Sequence, residues 1–243
     1  MSATLLIENK AIVPKEFNKI ARRYDLATGL SQGYGYDLEK SASLLQLKGD
    51  ETVLDLCCGT GKSTAALLPF ICSGKITGID NSEEMLRAAR EKFRAESESG
   101  KTEFLLYDAM QLPYEENSVD VIFMAYGLRN MPDYETCIRN LYRILKPGGK
   151  LLVHDYSLSE NAWAKGYWKV LGYGFILPFC TLLTGESRIF SYLVRSVSRF
   201  LQPSALLALL QKNGFSDTHY VSHKGWREPI LKAFYAVKPE DSV

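Results

Sequence analysis

Three acids and two glycines in this chain are spaced to hold a nucleoside. Asp55-Leu56-Cys57-Cys58-Gly59-Thr60-Gly61 places an acid four residues before the first of two glycines; Asp80 and Asp108 follow. Glycines at 59 and 61 remove the side chains that would keep a ligand off a turn entering a helix. Single residues exclude two phosphate motifs. GTGKST resembles a P-loop, yet Leu56 stands five positions before Gly61, where that motif needs glycine. The dinucleotide fingerprint fails at Thr64, three positions after Gly61. An acid ending the second strand of an open α/β sheet accepts hydrogen bonds from both ribose hydroxyls, so the set asks for adenosine without a pyrophosphate. Taken singly, each acid reads as well as a helix cap or turn residue; their order carries the argument. A second polar set, Arg129, Asn130, His154 and Asp155, falls at the C-terminal ends of later strands, the edge where open α/β sheets bind ligands.

The elements that must position these residues alternate along the chain. Glu51 to Leu56 reads as a buried strand and Lys62 to Phe70 as a helix; Lys75 to Ile79 is a second strand ended by Asp80. Ser82 caps a helix with Met85 and Leu86 inward, and Phe104 to Met110 holds a third strand ended by Asp108. Val119 to Met124 is a fourth strand, Tyr134 to Leu145 a helix stopped at Lys146-Pro147-Gly148-Gly149, and Leu151-Leu152-Val153 opens a fifth. Ser216 to Val221 and Leu231 to Val237 complete seven strands. The expectation is a doubly wound, mostly parallel α/β sheet forming one domain over 1–243. Strand alternation sends His154 and Asp155 to opposite faces, so at most one of them faces the site directly.

Composition narrows the class. The 243 residues are 46% hydrophobic and 23% charged, ordinary values for a globular protein. A net charge of +1 gives no reason to expect nucleic acid. Five cysteines without C-x-x-C spacing argue for a reducing compartment and against a zinc site or disulfide framework. No signal peptide is read at the N-terminus, and the expected location is cytoplasmic.

The ordered acids and glycine turn resemble those of class I S-adenosylmethionine-dependent methyltransferases. Tyr126-Gly127-Leu128-Arg129-Asn130, Arg143 to Gly149, Asp155-Tyr156-Ser157 and the early Tyr24-Asp25 narrow this to a resemblance to the ubiquinone/menaquinone biosynthesis C-methyltransferase (UbiE) family, covering about Phe17 to the C-terminus. The resemblance implies a Rossmann-like fold and S-adenosyl-L-methionine as cofactor, leaving S-adenosyl-L-homocysteine, with no metal. It implies a cofactor site of Tyr24, Asp55, Cys57, Gly59, Gly61, Thr64, Asp80, Asn81, Met85, Asp108, Ala109, Met110, Ala125 and Tyr126, with Asp108 facing the adenine amino group. It also implies carbon methylation of a prenylated quinol, with Asp155 or His154 as base and Arg129 and Asn130 orienting it. The chain departs from the pattern where Leu26-Ala27 follows Tyr24-Asp25, where Asp155 replaces a glutamate, and where Gly225 to Ile230 replaces a glycine-rich stretch ending in histidine.

Residues 158–203 form an insertion after the fifth strand, expected as a helical cap together with residues 1–48. It carries Trp163, Tyr167, Trp168, Tyr173, Phe175, Phe179, Phe190 and Tyr192, of which about half are expected to line a cavity for an apolar or aromatic acceptor and the rest to pack the cap. Its charge-free run, Val170 to Gly185, is shorter than the ~20 residues a membrane span needs. Peripheral membrane contact and a homodimer both remain compatible with the chain. Two other readings stay open: an O- or N-methyltransferase with a soluble aromatic acceptor, and a non-catalytic module that keeps the cofactor fold.

Overall fold

The computed structural model describes residues 10, 13, 15–19 and 33–240. After helix α1 (Tyr34–Leu44), strands β1 (Thr52–Leu56), β2 (Lys75–Asp80), β3 (Thr102–Leu106), β4 (Val119–Ala125), β5 (Leu145–Tyr156), β6 (Ser216–Ser222) and β7 (Leu231–Val237) form one sheet in the order β3-β2-β1-β4-β5-β7-β6. The first five strands run parallel and β7 is antiparallel to both β5 and β6. The strand order reverses beside β1, and an open α/β sheet binds ligands outside the C-terminal ends of its strands at such a point. Asp55 to Gly61 and the residues after Ala125 lie at that edge.

Both faces of the sheet are covered, which accounts for strands such as Val121 to Met124 that are apolar without alternation. On one face α1 and α2 (Lys62–Leu67) pack Leu38, Ala42 and Leu67 against Val53, Ile76, Phe123 and Leu152. On the other, α5 (Tyr134–Ile144) sets Ile138 and Leu141 against Leu54, Ile122 and Val153. Between these in chain order, α3 (Glu83–Lys92) and α4 (Arg94–Glu98) link β2 to β3. Asp133 caps α5 by accepting from the Glu135 and Thr136 amides, and Ser82 caps α3 by accepting from Met85.

Two boundaries differ from the sequence expectation. Strand β3 stops at Leu106 because its partner β2 ends in register there, Asp80 facing Leu106. Asp108 lies beyond, in a turn closed by the Met110 amide on its Oδ1 at 2.9 Å and the Gln111 amide on its carbonyl at 2.9 Å. Strand β5 starts at Leu145, before Pro147-Gly148-Gly149, which the sheet absorbs as an irregularity between Val119 and Val121 of β4.

After β5 come α6 (Ala162–Leu171), a π-helical turn (Gly172–Ile176), α7 (Leu177–Thr184) and α8 (Arg188–Arg199), and α9 (Pro203–Lys212) returns the chain to the sheet. Gly172 is buried where a Cβ would stand 2.7 Å from Val194, so its lack of a side chain lets the turn close on α8. Trp168 is fully buried there and donates to the Val194 carbonyl at 2.9 Å. Trp163, Tyr173, Phe175 and Phe179 are exposed instead, as are Val170 and Leu182. No helix among the described residues is long and apolar enough to cross a membrane.

Candidate functional site

A cavity of about 320 Å³ lies at the switch point, within the range of small-molecule sites. Its floor is the glycine turn, from Cys57 to Thr60, with Asp80, Asn81, Ser82 and Met85 after β2 and Asp108 and Ala109 after β3. Its far wall comes from Ala125, Tyr126, Arg129 and Asn130 after β4, Tyr156, and the helical segment through Ile176, Cys180, Ile189, Phe190, Tyr192 and Leu193. The lining thus combines the polar groups of the turn and of Arg129 and Asn130 with apolar side chains of the inserted helices.

The turn is built to expose backbone. Cys57 and Gly59 sit at φ of 58° and 55°, and Gly61, at 81°, precedes the first residue of α2. A Cβ at Gly61 would stand 2.5 Å from Phe93, whereas one at Gly59 would meet nothing within 4 Å. Gly61 is therefore required by packing, and Gly59 leaves open a space a side chain would fill. Non-glycine residues at left-handed angles cluster at functional sites. Cys57 and Tyr126 (φ 55°) are two such residues, and both line this cavity.

Each acid has a distinct environment. Asp80 accepts from the Gly59 amide on Oδ2 and the Ser82 amide on Oδ1, each at 2.9 Å. Burial nonetheless pushes its carboxyl up to about 6, so the two amides do not fully replace water. Additional donors from a bound ligand would stabilise its charge. Asp55 lies fully buried behind the turn, accepting from Ser63 at 2.8 Å and Thr64 at 2.6 Å on one oxygen. Burial raises it to about 7, and its other oxygen has no hydrogen-bond partner among the described residues. Asp108 is exposed at the cavity mouth. The residues present fit S-adenosylmethionine: Gly59 leaves an open edge and Asp80 lines the cavity at the end of β2, whereas Asp55 lies behind the turn and outside the lining.

The second polar set divides. Arg129 and Asn130 line the cavity, whereas His154 and Asp155 lie fully buried behind its wall. Asp155 accepts from the Arg129 amide at 3.2 Å and faces its guanidinium at 3.4 Å. Burial raises the Asp155 carboxyl, with Arg129 opposing that shift. Asn130 joins three elements, accepting from Arg129 Nη1 and the Tyr192 hydroxyl at 2.9 Å each and donating to the Tyr126 carbonyl at 3.1 Å. His154 bonds Ser41 and Tyr126 instead, on the opposite side of β5 from Asp155. Burial keeps it well below the usual histidine range, and therefore neutral.

Of the other expected residues, Gly61, Thr64 and Met110 support the turn or the core without lining the cavity, and Tyr24 lies outside the described residues. Of the aromatics expected in the insertion, Phe190 and Tyr192 line the cavity. Sequence reasoning missed Lys10, whose amino group donates to the Arg129 and Met131 carbonyls and the Tyr134 hydroxyl at 2.8–2.9 Å. Burial and the Arg129 charge lower it to about 8. It also missed Tyr34 and Tyr156, which flank Tyr126 with ring centroids at 5.2 Å and 5.3 Å.

The described fold is shared with solved structures. The [4+2]-cyclase SpnF superposes with a TM-score of 0.70 at 20% identity, covering 94% of this chain and 95% of that one. A putative methyltransferase from Bacillus halodurans C-125 gives a TM-score of 0.60 at 21% identity, covering 84% of this chain and 99% of that one. Those likenesses establish the fold alone, and a cyclase among them shows that the fold hosts more than one chemistry. Sequence relatives are more specific. A demethylmenaquinone methyltransferase of Lactococcus lactis subsp. lactis (strain IL1403) is 33% identical over 97% of this chain and 94% of its own length. The profile of the ubiE/COQ5 methyltransferase family matches residues 4–228. A glycine turn at the switch point, lining a cavity with side chains of the inserted helices, is thus found in a chain that belongs to the ubiE/COQ5 methyltransferase family of S-adenosylmethionine-dependent enzymes.

Proposed function

We propose that this enzyme methylates a ring carbon of a prenylated quinol, of the kind named by its demethylmenaquinone methyltransferase relatives. The observation carrying this reading is one cavity lined both by Gly59 and Asp80 of the cofactor edge and by Ile176, Ile189, Phe190 and Leu193 of the inserted helices. A ring bearing an apolar tail matches those apolar side chains. S-adenosylmethionine supplies an activated methyl group when bound. Asp80 takes the ribose hydroxyls, Asp108 the adenine amino group and Gly59 the close edge. Arg129, held by Asp155, and Asn130, held by Tyr192, orient the ring hydroxyls. Segments 1–48 and 158–203 act as the cap that excludes water during transfer.

The acceptor's tail also proposes a location, the cytoplasmic face of a membrane. Residues 162–185 contain Lys165 and Lys169 and no acid, and present Trp163, Phe175, Phe179 and Leu182 to solvent while Ile176 and Cys180 line the cavity. Aromatics and lysines suit an anionic lipid interface. The alternative, oxygen or nitrogen methylation of a soluble aromatic acceptor, is separated by one experiment. Radiolabelled S-adenosylmethionine incubated with enzyme and cell extract should label the lipid fraction; label confined to the aqueous fraction would overturn the quinol reading.

A further inference from the structure

Two of the chain's three histidines form a buried polar chain that the proposed chemistry has so far left unused. The Tyr126 hydroxyl lies 2.9 Å from His154 Nε2, and His154 Nδ1 lies 2.7 Å from Ser41 Oγ. Ser41 Oγ lies 3.1 Å from His223 Nε2, and His223 Nδ1 lies 3.0 Å from Asp37 Oδ1. Arg227 Nε meets the other Asp37 oxygen at 3.1 Å. These groups come from α1, β5 and the segments after β4 and β6, far apart in sequence.

One proton arrangement satisfies every link. With Asp37 ionised, His223 donates from Nδ1, Ser41 donates to His223 Nε2, His154 donates from Nδ1 to Ser41, and Tyr126 donates to His154 Nε2. Both histidines are then neutral, the direction in which burial drives each of them. Ser41, His223 and Asp37 reproduce the order of a hydrolytic triad, but Ser41 is 0% and His223 1% exposed, so no ester can reach them. The cavity end of the chain is Tyr126, which lines the wall between Tyr34 and Tyr156 at a left-handed φ of 55°.

We infer that Tyr126 is a catalytic proton acceptor for the methylated ring, and that His154, Ser41, His223 and Asp37 are positioning residues that carry the proton away. The inference rests on the carbon-methylation reading above. On transfer, an electron pair of the ring forms the new carbon–carbon bond and the pair of the broken methyl–sulfur bond stays on sulfur. The ring carbon then holds a methyl group and a surplus hydrogen, and loss of that hydrogen as a proton restores aromaticity. The proton passes to the Tyr126 oxygen as the tyrosine's own proton passes to His154 Nε2. The Nδ1 proton of His154 moves to Ser41, and the serine proton to His223 Nε2, leaving an imidazolium beside the Asp37 carboxylate. Neutral histidines are weak bases suited to a strongly acidic dienone C–H, and poorly suited to ionising a phenol of ordinary pKa near ~10 beforehand.

Tyr126→Phe keeps the ring and removes the oxygen; His154→Gln interrupts the chain one step back. Both should fold, and His154→Gln should bind S-adenosylhomocysteine as wild type does, while turnover of a short-tailed demethylnaphthoquinol falls by about a hundredfold in each. Deuterium at the methylated ring carbon should give a primary isotope effect in the variants that wild type lacks, because proton removal becomes rate-limiting. A structural lesion alone would slow methyl transfer without that effect. In cofactor-free protein, nitrogen NMR should show His154 and His223 as neutral Nδ1–H tautomers. Wild-type turnover is measured first and establishes the acceptor, so unchanged Tyr126→Phe turnover without an isotope effect overturns the relay alone. Nε2–H tautomers at both histidines would also overturn it.

Discussion

Replacing Asp80 by Asn should separate cofactor affinity from folding, because the same burial that makes Asp80 receptive to a ligand makes its charge costly without one. Its carboxyl is raised from 3.8 to about 6, which corresponds to an ionisation penalty of at most about 3 kcal/mol at neutral pH, reduced where the group touches solvent in the cavity. The carboxamide keeps one acceptor for the Gly59 or Ser82 amide and sheds that penalty, so the cofactor-free variant should melt no lower than wild type. Affinity behaves oppositely. Loss of hydrogen bonds from two ribose hydroxyls to a charged acceptor costs about 1.5–3 kcal/mol, or roughly 10–150-fold in Kd for S-adenosylhomocysteine. The pH dependence follows from the raised pKa. Hydroxyl donors favour the ionised form, so protonation competes with binding, and affinity rises with pH through about 6 and levels off above it. At pH 5 only about a tenth of Asp80 is ionised, giving about tenfold weaker binding than at pH 7.5. Isothermal titration calorimetry of both proteins across this range is the assay. An Asp80→Asn affinity equal to wild type, or an inflection near pH 6 that survives the substitution, would refute the assignment of Asp80 to the ribose.

The two turn glycines should fail differently. Gly61→Ala drives a Cβ into Phe93 at φ 81° and should lower thermal stability by several degrees, read by calorimetry, whereas Gly59→Ala, strained only by its φ of 55° and meeting no neighbour, should lose less stability while weakening S-adenosylhomocysteine binding. Equal loss of stability in both would contradict the geometry. Asp155→Ala strands the buried Arg129 guanidinium and should cost about 3–5 kcal/mol, a melting shift on the order of 10 °C; a shift near zero would mean that the pair holds nothing. Vesicles rich in anionic lipid should bind the protein, and Phe175→Ser with Leu182→Ser should weaken that partition by about tenfold or more. Equal binding by the double variant would move the contact elsewhere.

The strands and the glycine turn were legible because each rests on local chemistry. Apolar runs flanked by caps define strands, and only glycine serves where Gly61 meets Phe93. Asp80 was legible from its place at a strand end. The environment of His154 and Asp155 was not. Alternation put them on opposite faces of β5, yet neither lines the cavity, because Ser41 of α1 covers His154 and Arg129 after β4 covers Asp155. The relay needed residues 186 positions apart, Asp37 and His223, to be adjacent, and no periodicity announces such a pair. Lys10 was missed for the same reason, since its partners lie at Arg129, Met131 and Tyr134. Among the aromatics of the insertion, composition could not distinguish Phe190, which lines the cavity, from Phe175, which faces solvent.

The central claim is that the activated methyl group passes to a ring carbon of a quinol with an apolar tail. Its most direct test is the purified enzyme incubated with S-adenosylmethionine carrying a carbon-13 methyl group and a reduced, short-tailed demethylnaphthoquinol, with the product read by carbon NMR. The account predicts a methyl resonance on an aromatic carbon. A methoxy resonance, or no labelled quinol at all, would contradict it.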